Sequence, residues 1–357
     1  MIALATKNET LAPNISSTFQ IFQIVQRLFV LPAIVALVLN VCIIRSIFQS
    51  KDLLRSSTYR YIANMVFSDL ATGIIFTVLP FISSFPLPYV IADIICRTLS
   101  YVTGVTYMAS ILSLVAISVD RYQTIVKSLS THYQSKKLII SKRVIVLIWL
   151  ISITFSIPLV YVTGVISEED KSCAILNRGM SNLIYFFSIT SLLYVVPLVA
   201  MLILYFKIYR YLVRRSRMNT ISHSDISSSR NMTFLNNSKR KDLVKTLITI
   251  TGAFGLMTWP FFAMASGTAV TGIDIRDLLR TNIFLFLLAA FAASSTVMTS
   301  VVNPILLICI DKNIGTRISI PMITKRHGSN STLRDNGTSS FNRAKNNTVK
   351  PATKLST

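Results

Sequence analysis

Residues 98–119 read TLSYVTGVTYMASILSLVAISV, 22 positions without an Asp, Glu, Lys or Arg, and the run ends at Asp120-Arg121-Tyr122. About 20 apolar residues cross the hydrocarbon core of a bilayer as a helix, and only a helix or a closed barrel satisfies its own backbone there. The apolar character is continuous rather than alternating, so the stretch reads as a spanning helix. Five more runs match it, at 28–44, 144–167, 179–206, 246–273 and 281–310, all free of charge. A seventh, 61–92, holds one charged residue, Asp69. The expected fold is an all-α membrane protein, a bundle of seven transmembrane helices. A soluble enzyme is excluded.

Charge gives the orientation. The net charge is +22, which in a soluble protein would suggest nucleic acid. Here 29 of the 36 Lys and Arg residues fall in 45–60, 121–143, 207–245 and 312–354, the connections on one side of seven spans. Positive charge gathers on the cytoplasmic side, so the N-terminus is expected outside. Contact with anionic lipid of the inner leaflet accounts for the basic residues, and no nucleic-acid partner is expected. A hydrophobic fraction of 52% and a mean hydropathy of +0.58 fit one membrane domain with short tails.

Expected boundaries are an extracellular tail over 1–23, the helical domain over 24–320 and a disordered cytoplasmic tail over 321–357. Residues 1–23 are polar and lack the apolar centre of a cleavable signal, so the first span is expected to act as the anchor. Asn8 (NET) and Asn14 (NIS) are candidate glycosylation sites in the outer tail. Residues 311–320, DKNIGTRISI, could lie along the inner membrane surface as a short amphipathic eighth helix, which Gly315 weakens. No internal repeat relates the two halves, which counts against an inverted-repeat transporter.

Cysteines divide by side. Cys96 and Cys173 face the oxidising exterior, while Cys42 and Cys309 lie within or beneath the membrane. A Cys96–Cys173 disulfide is the natural pairing, with two free thiols as the alternative. Inside the spans sit Asn40, Asn64, Asp69, Ser110, Ser113, Thr299, Ser300 and Asn303. A carboxylate in a span is costly unless paired or hydrated, which makes Asp69 a functional candidate by default. With Ser110, Ser300 and Asn303 it forms either a small cation or water site or a hydrogen-bonded cluster that only joins helices. Asp120 and Arg121, adjacent at the membrane boundary, can neutralise each other until a partner engages the guanidinium. Pro304 frees a backbone carbonyl in the last span, and Asn303 beside it can hydrogen-bond there, which makes a hinge.

Taken together, these residues resemble the rhodopsin-like family of G-protein-coupled receptors over residues 28–320. Asn40 matches the family's first-span Asn, and Asp69-Leu70 its second-span acid. Cys96 and Arg121 stand 25 residues apart, the family spacing between the third-span cysteine and the DRY arginine. Trp149 and Pro158 match the fourth span, Pro197 and Tyr205 the fifth, Phe254 and Pro260 the sixth. Asn303-Pro304 matches the start of the seventh-span NPxxY. The resemblance implies G-protein coupling through Asp120, Arg121, Tyr122 and Tyr205. It implies activation switches at Ile111, Pro197, Phe254, Thr258, Trp259, Pro260, Asn303 and Pro304. It also implies a Na⁺ site at Asp69, Ser110, Ser300 and Asn303, with Na⁺ as an allosteric ion and no other metal or cofactor. By the same alignment the ligand pocket holds Thr103, Tyr107, Phe261, Phe262, Ala293 and Val297. Thr103 stands where amine receptors carry Asp, and Val297 where photopigments carry the retinal-linking Lys. The ligand is therefore expected to be neither an amine nor retinal.

Two departures matter. The sixth-span CWxP becomes Met257-Thr258-Trp259-Pro260, which displaces the Trp by one residue and turns it about 100° around the helix. Leu307 replaces the NPxxY tyrosine. The function implied is a ligand-activated receptor of the plasma membrane, passing a signal to a heterotrimeric G protein, with arrestin, receptor kinases and membrane lipid as further partners. The alternative is a seven-helix channel or transporter that uses Asp69 in a permeation path. The three histidines, His132, His223 and His327, form no catalytic or metal-binding pattern, so no enzyme is expected.

Overall fold

The structure is a computed structural model and describes residues 15–127, 131–168, 173–176, 179–221, 227–273, 275–311 and 313–318. Among the described residues, seven helices are long and apolar enough to span a bilayer: α1 Gln23–Phe48, α2 Ser57–Phe81, α3 Tyr89–Ile125, α4 Lys136–Val162, α5 Met180–Arg214, α6 Ile248–Thr271 and α7 Ile283–Cys309. The chain is a multi-pass membrane protein. A helix, Ile15–Leu28, precedes the break at Phe29, so helical structure begins earlier than the sequence pattern predicts.

Local sequence explains where several helices start, stop and bend. Asn282 caps α7, its side-chain oxygen accepting from Phe284 N at 2.9 Å and Leu285 N at 3.3 Å. Gly272, at φ 67°, ends α6 in a conformation that costs a side-chain-bearing residue more. Pro260 and Pro304 interrupt the backbone ladders of α6 and α7. In α5 a widened π turn at Ser191–Val195 comes just before Pro197.

α3 is the hub. It packs on α2, α4, α5 and α6, while α7 closes the ring against α1, α2 and α6. Lipid-facing side chains such as Leu31, Leu147, Leu202, Leu256 and Phe284 stay exposed, because lipid is as apolar as they are. Helix association therefore rests on packing and on hydrogen bonds between helices. The Thr72 and Thr106 hydroxyls pair at 2.8 Å across α2 and α3. Trp149 Nε1 donates to Asn64 Oδ1 at 2.9 Å, and Asn64 Nδ2 donates to Ser113 Oγ at 2.8 Å, which joins α4, α2 and α3.

At one end of the bundle, termed the outer end, strands β1 Thr163–Val165 and β2 Cys173–Ile175 pair antiparallel, with Val165 opposite Cys173. The Cys96–Cys173 disulfide fastens this hairpin to α3 with a Cα separation of 5.5 Å. At the opposite end, termed the inner end, residues 313–318 are helical, whereas Asp311, expected to open the eighth helix, is extended at φ −85° and ψ 101° as the C-cap of α7; residues 312, 319 and 320 fall outside the described residues. Gly315 lies so close to α7 that a Cβ there would come within 2.5 Å of the Ile308 carbonyl oxygen. Its small size permits that approach, which the propensity reading counted only as a weakness.

Candidate functional site

Three sites follow one another along α3. The outermost is a cavity of about 260 Å³ between the outer ends of the helices and the hairpin. Val25, Phe29, Phe76, Ile175, Phe261 and Met264 give it apolar walls, and Gln26, Ser100, Thr163, Thr268 and Ser294 add neutral polar groups. Of the six expected pocket residues, Phe261 and Ala293 line this cavity. Tyr107, Phe262 and Val297 are buried beneath it, and Thr103 is half-buried on α3 without lining it. The lining residues that the sequence reading missed include Met264 and Thr268, one and two turns outward from Phe261, and Ala290, one turn outward from Ala293. A helical continuation of the expected set would have reached them.

Below the cavity lies a contiguous aromatic cluster. Phe261 stacks edge-on against Phe262 at 5.4 Å and Tyr107 at 6.1 Å, measured between ring centroids. Phe262 meets Tyr194 at 5.7 Å, and Tyr194 meets Phe254 at 6.4 Å. Tyr194 sits on the π turn of α5 and donates its hydroxyl to Gly255 O at 3.3 Å. Ile111 and Phe254 share one buried cluster with Leu193 and Met201, and Pro197 is buried nearby in sequence. Thr258 is fully buried, whereas Trp259 is 52% exposed on the lipid-facing side. The one-residue displacement thus puts the indole outside the bundle core.

The second site is the buried carboxylate. Asp69 accepts from Ser110 Oγ at 2.8 Å and from Asn303 Nδ2 at 3.1 Å, which brings α2, α3 and α7 together. Ser300 takes a different part: its carbonyl accepts from Asn40 Nδ2 at 3.1 Å, and its hydroxyl donates to Thr296 O at 3.5 Å. Asn303 Oδ1 is buried with no hydrogen-bond partner among the described residues. An anionic carboxylate, a hydroxyl and an unpartnered amide oxygen form the donor set that a hard monovalent or divalent cation takes. The residues present therefore fit a small cation.

The third site is the inner end. Asp120 accepts from Ser57 Oγ at 2.7 Å, Thr58 Oγ1 at 2.6 Å and Lys137 Nζ at 3.2 Å. The expectation that Asp120 and Arg121 neutralise each other is corrected: two hydroxyls of α2 and a lysine of α4 occupy the carboxylate, because α2 and α4 both pack against this end of α3. Arg121 instead borders a small cavity of about 20 Å³ with Thr58, Tyr205, Leu307 and Asp311. The Tyr205 hydroxyl pairs with that of Ser118, and the Lys207 ammonium lies 6.0 Å from the centroid of the Tyr122 ring. Tyr59 donates to Asp311 and accepts from Asn313 Nδ2 at 2.8 Å. The sequence reading did not single out Tyr59 or Asp311. Pro260, Asn303 and Pro304 lie where expected in α6 and α7, and Asn8 and Asn14 lie outside the described residues.

Comparison with known proteins accords with this layout. Residues 39–307 match the family described as "7 transmembrane receptor (rhodopsin family)". The chain is 28% identical over 281 residues to neuropeptide Y receptor type 6 of Mus musculus, covering 71% of this chain and 72% of that receptor. It is 25% identical over 274 residues to the neuropeptide S receptor of Macaca mulatta, covering 74% and 70%. The trissin receptor of Drosophila melanogaster is 34% identical over 176 residues, which span 46% of this chain but only 25% of that receptor. The chain belongs to the rhodopsin-like family of G-protein-coupled receptors.

Proposed function

We propose that the chain is a peptide-activated receptor of the plasma membrane, N-terminus outside, that couples to a heterotrimeric G protein. The observation that carries this reading is the placement of the outer cavity and of Arg121 at opposite ends of one buried helix, with the aromatic cluster and Asp69 between them. The relatives named as neuropeptide receptors support a peptide ligand. A ligand seated against Phe261 biases the packing of Tyr107, Phe262, Tyr194 and Phe254, and so the position of α6 at the inner end. This is a population shift between two arrangements of a packed core.

In the same reading Asp69, Ser110 and Asn303 hold Na⁺, with Ser300 on the adjacent turn of α7. When bound, the ion supplies positive charge to a carboxylate that otherwise has only neutral partners. Residues 313–318 lie along the inner surface as a short amphipathic helix, and Asn8 and Asn14 carry glycans. Arrestin and receptor kinases act on the cytoplasmic face, and the basic inner connections touch anionic lipid. The channel reading gains no support from Asp69, which is buried with both carboxylate oxygens hydrogen-bonded.

The test uses proteoliposomes that hold the full chain and a heterotrimeric G protein, challenged with a peptide library in free and end-blocked forms. Peptide-evoked nucleotide exchange without ion flux is expected. Ion flux without exchange would overturn the reading.

A further inference from the structure

The outer cavity has a chemical character that restricts what enters it. Its lining holds no Asp, Glu, Lys, Arg or His among the described residues. The polar groups that are present are neutral, and several already have partners. Thr163 Oγ1 donates to Leu159 O at 2.6 Å, Thr268 Oγ1 to Met264 Sδ at 3.7 Å, and Ser100 Oγ meets the disulfide sulfur of Cys173 at 3.5 Å.

Charged side chains that neighbour the lining in sequence are committed elsewhere: Arg27 donates to Gln23 Oε1 at 3.5 Å and lies 5.9 Å from the Phe81 ring centroid. Asp93 accepts from Arg97 Nε at 2.6 Å and from Val165 N at 2.9 Å, and Arg97 Nη1 donates to Val160 O at 2.7 Å. That bracket fixes the hairpin to α3 and leaves neither charge on the cavity wall. An ion moved from water into apolar surroundings without a counter-charge loses several kcal/mol of hydration, and none of the described lining residues carries a charge to return it.

We propose that the part of the ligand entering this cavity is apolar and carries no formal charge. Resting on the peptide reading above, the ligand is a peptide whose inserted end has a blocked terminus and aliphatic or aromatic side chains. A free amino or carboxylate terminus, or an Arg, Lys, Asp or Glu side chain, stays outside on the loops. The cavity's size favours a short insert, since 260 Å³ lies just below the usual range for small-ligand pockets.

The charge preference can be measured without knowing the ligand. In the full chain with Cys42→Ala and Cys309→Ala, a single thiol is placed in the wall by Ala293→Cys, with Ser294→Cys as a second variant should the first fail to reach the membrane. Three methanethiosulfonates are compared: benzyl (neutral), trimethylammonium-ethyl (cationic) and sulfonatoethyl (anionic). Each rate is divided by the same reagent's rate at the exposed Ile273→Cys position. Both charged reagents are expected to react more than tenfold slower than the neutral one, a difference of about 1.4 kcal/mol or more. If either charged reagent comes within tenfold, or if the neutral reagent also fails to react, the proposal is overturned. The reagents are not peptides, so this result is independent of whether any peptide evokes nucleotide exchange, and the two readings can fail separately.

Discussion

The Tyr59 hydroxyl reaches both carboxylate oxygens of Asp311, at 3.1 and 2.9 Å, and so ties the inner end of α2 to the chain just beyond α7. Asn313 completes the group through its amide at 2.8 Å. Leu307, in the place of the NPxxY tyrosine, is buried and offers no hydroxyl to this end of α7. A phenol from α2 provides the junction instead. Tyr59→Phe leaves Asp311 with a lost donor in a buried setting, which costs about 1–3 kcal/mol. The melting temperature in nanodiscs should fall, and Tyr59→Phe with Asp311→Asn should cost less than the sum of the two. Additive losses would show that the pair is not coupled.

Asp120 is predicted to serve stability and Arg121 signalling. Asp120→Asn weakens the charge-assisted bonds from Ser57, Thr58 and Lys137, and the stability loss should be roughly 2–3 kcal/mol. Ser57→Ala and Thr58→Ala should each show part of that loss. Chemical denaturation or thermal midpoints of the purified receptor would measure it. Midpoints unchanged in Asp120→Asn would mean that the three contacts contribute nothing.

Trp259 and Phe262 are predicted to behave oppositely. Trp259 faces lipid, so Trp259→Ala should leave both stability and signalling near the parent's, within about 1 kcal/mol. Phe262 is buried between Phe261, Tyr107 and Tyr194, and Phe262→Ala leaves a cavity that costs roughly 3–5 kcal/mol. Side-by-side melting curves and agonist dose–response curves decide it. A Trp259→Ala receptor that folds but no longer signals would return the switch role to the indole.

Linkage gives the Asp69 prediction. Were Na⁺ to bind between Asp69, Ser110 and Asn303 only in the expanded inactive bundle, it would oppose an agonist that favours the other state, and each would weaken the other by the same factor. Agonist affinity should fall as Na⁺ replaces a bulky organic cation at constant ionic strength, and Asp69→Asn should abolish the dependence. An affinity flat in Na⁺ for the parent would make the group a structural hydrogen-bond hub.

The parts legible in the sequence are those fixed by local chemistry or chain topology. Six charge-free runs and a seventh with Asp69 alone correspond to the seven long helices, because continuous apolar character in lipid leaves the backbone to pair within its own segment. The side of the membrane paired Cys96 with Cys173. Asp69, Ser110, Ser300 and Asn303 group in the sequence because a buried carboxylate needs donors; Ser110 and Asn303 meet Asp69, while Ser300 bonds to Asn40 and Thr296 instead. What stayed hidden depends on how far each helix slides and turns against its neighbours. The outer cavity sits a turn beyond most of the residues expected to line it. Asp120 finds Ser57, Thr58 and Lys137, on two other helices, rather than the Arg121 beside it. Trp149 finds Asn64, and Tyr59 finds Asp311 across 252 positions of sequence, contacts that no local spacing encodes.

If occupation of the outer cavity is passed through the bundle to a G protein, Arg121 is the residue whose loss should stop the signal at the inner end. Agonist-evoked nucleotide exchange on a reconstituted heterotrimer is measured for the parent and for Arg121→Ala at equal amounts of folded receptor, with agonist binding followed in parallel. Exchange should be lost while the agonist still binds. Exchange at the parent's rate in Arg121→Ala would contradict it.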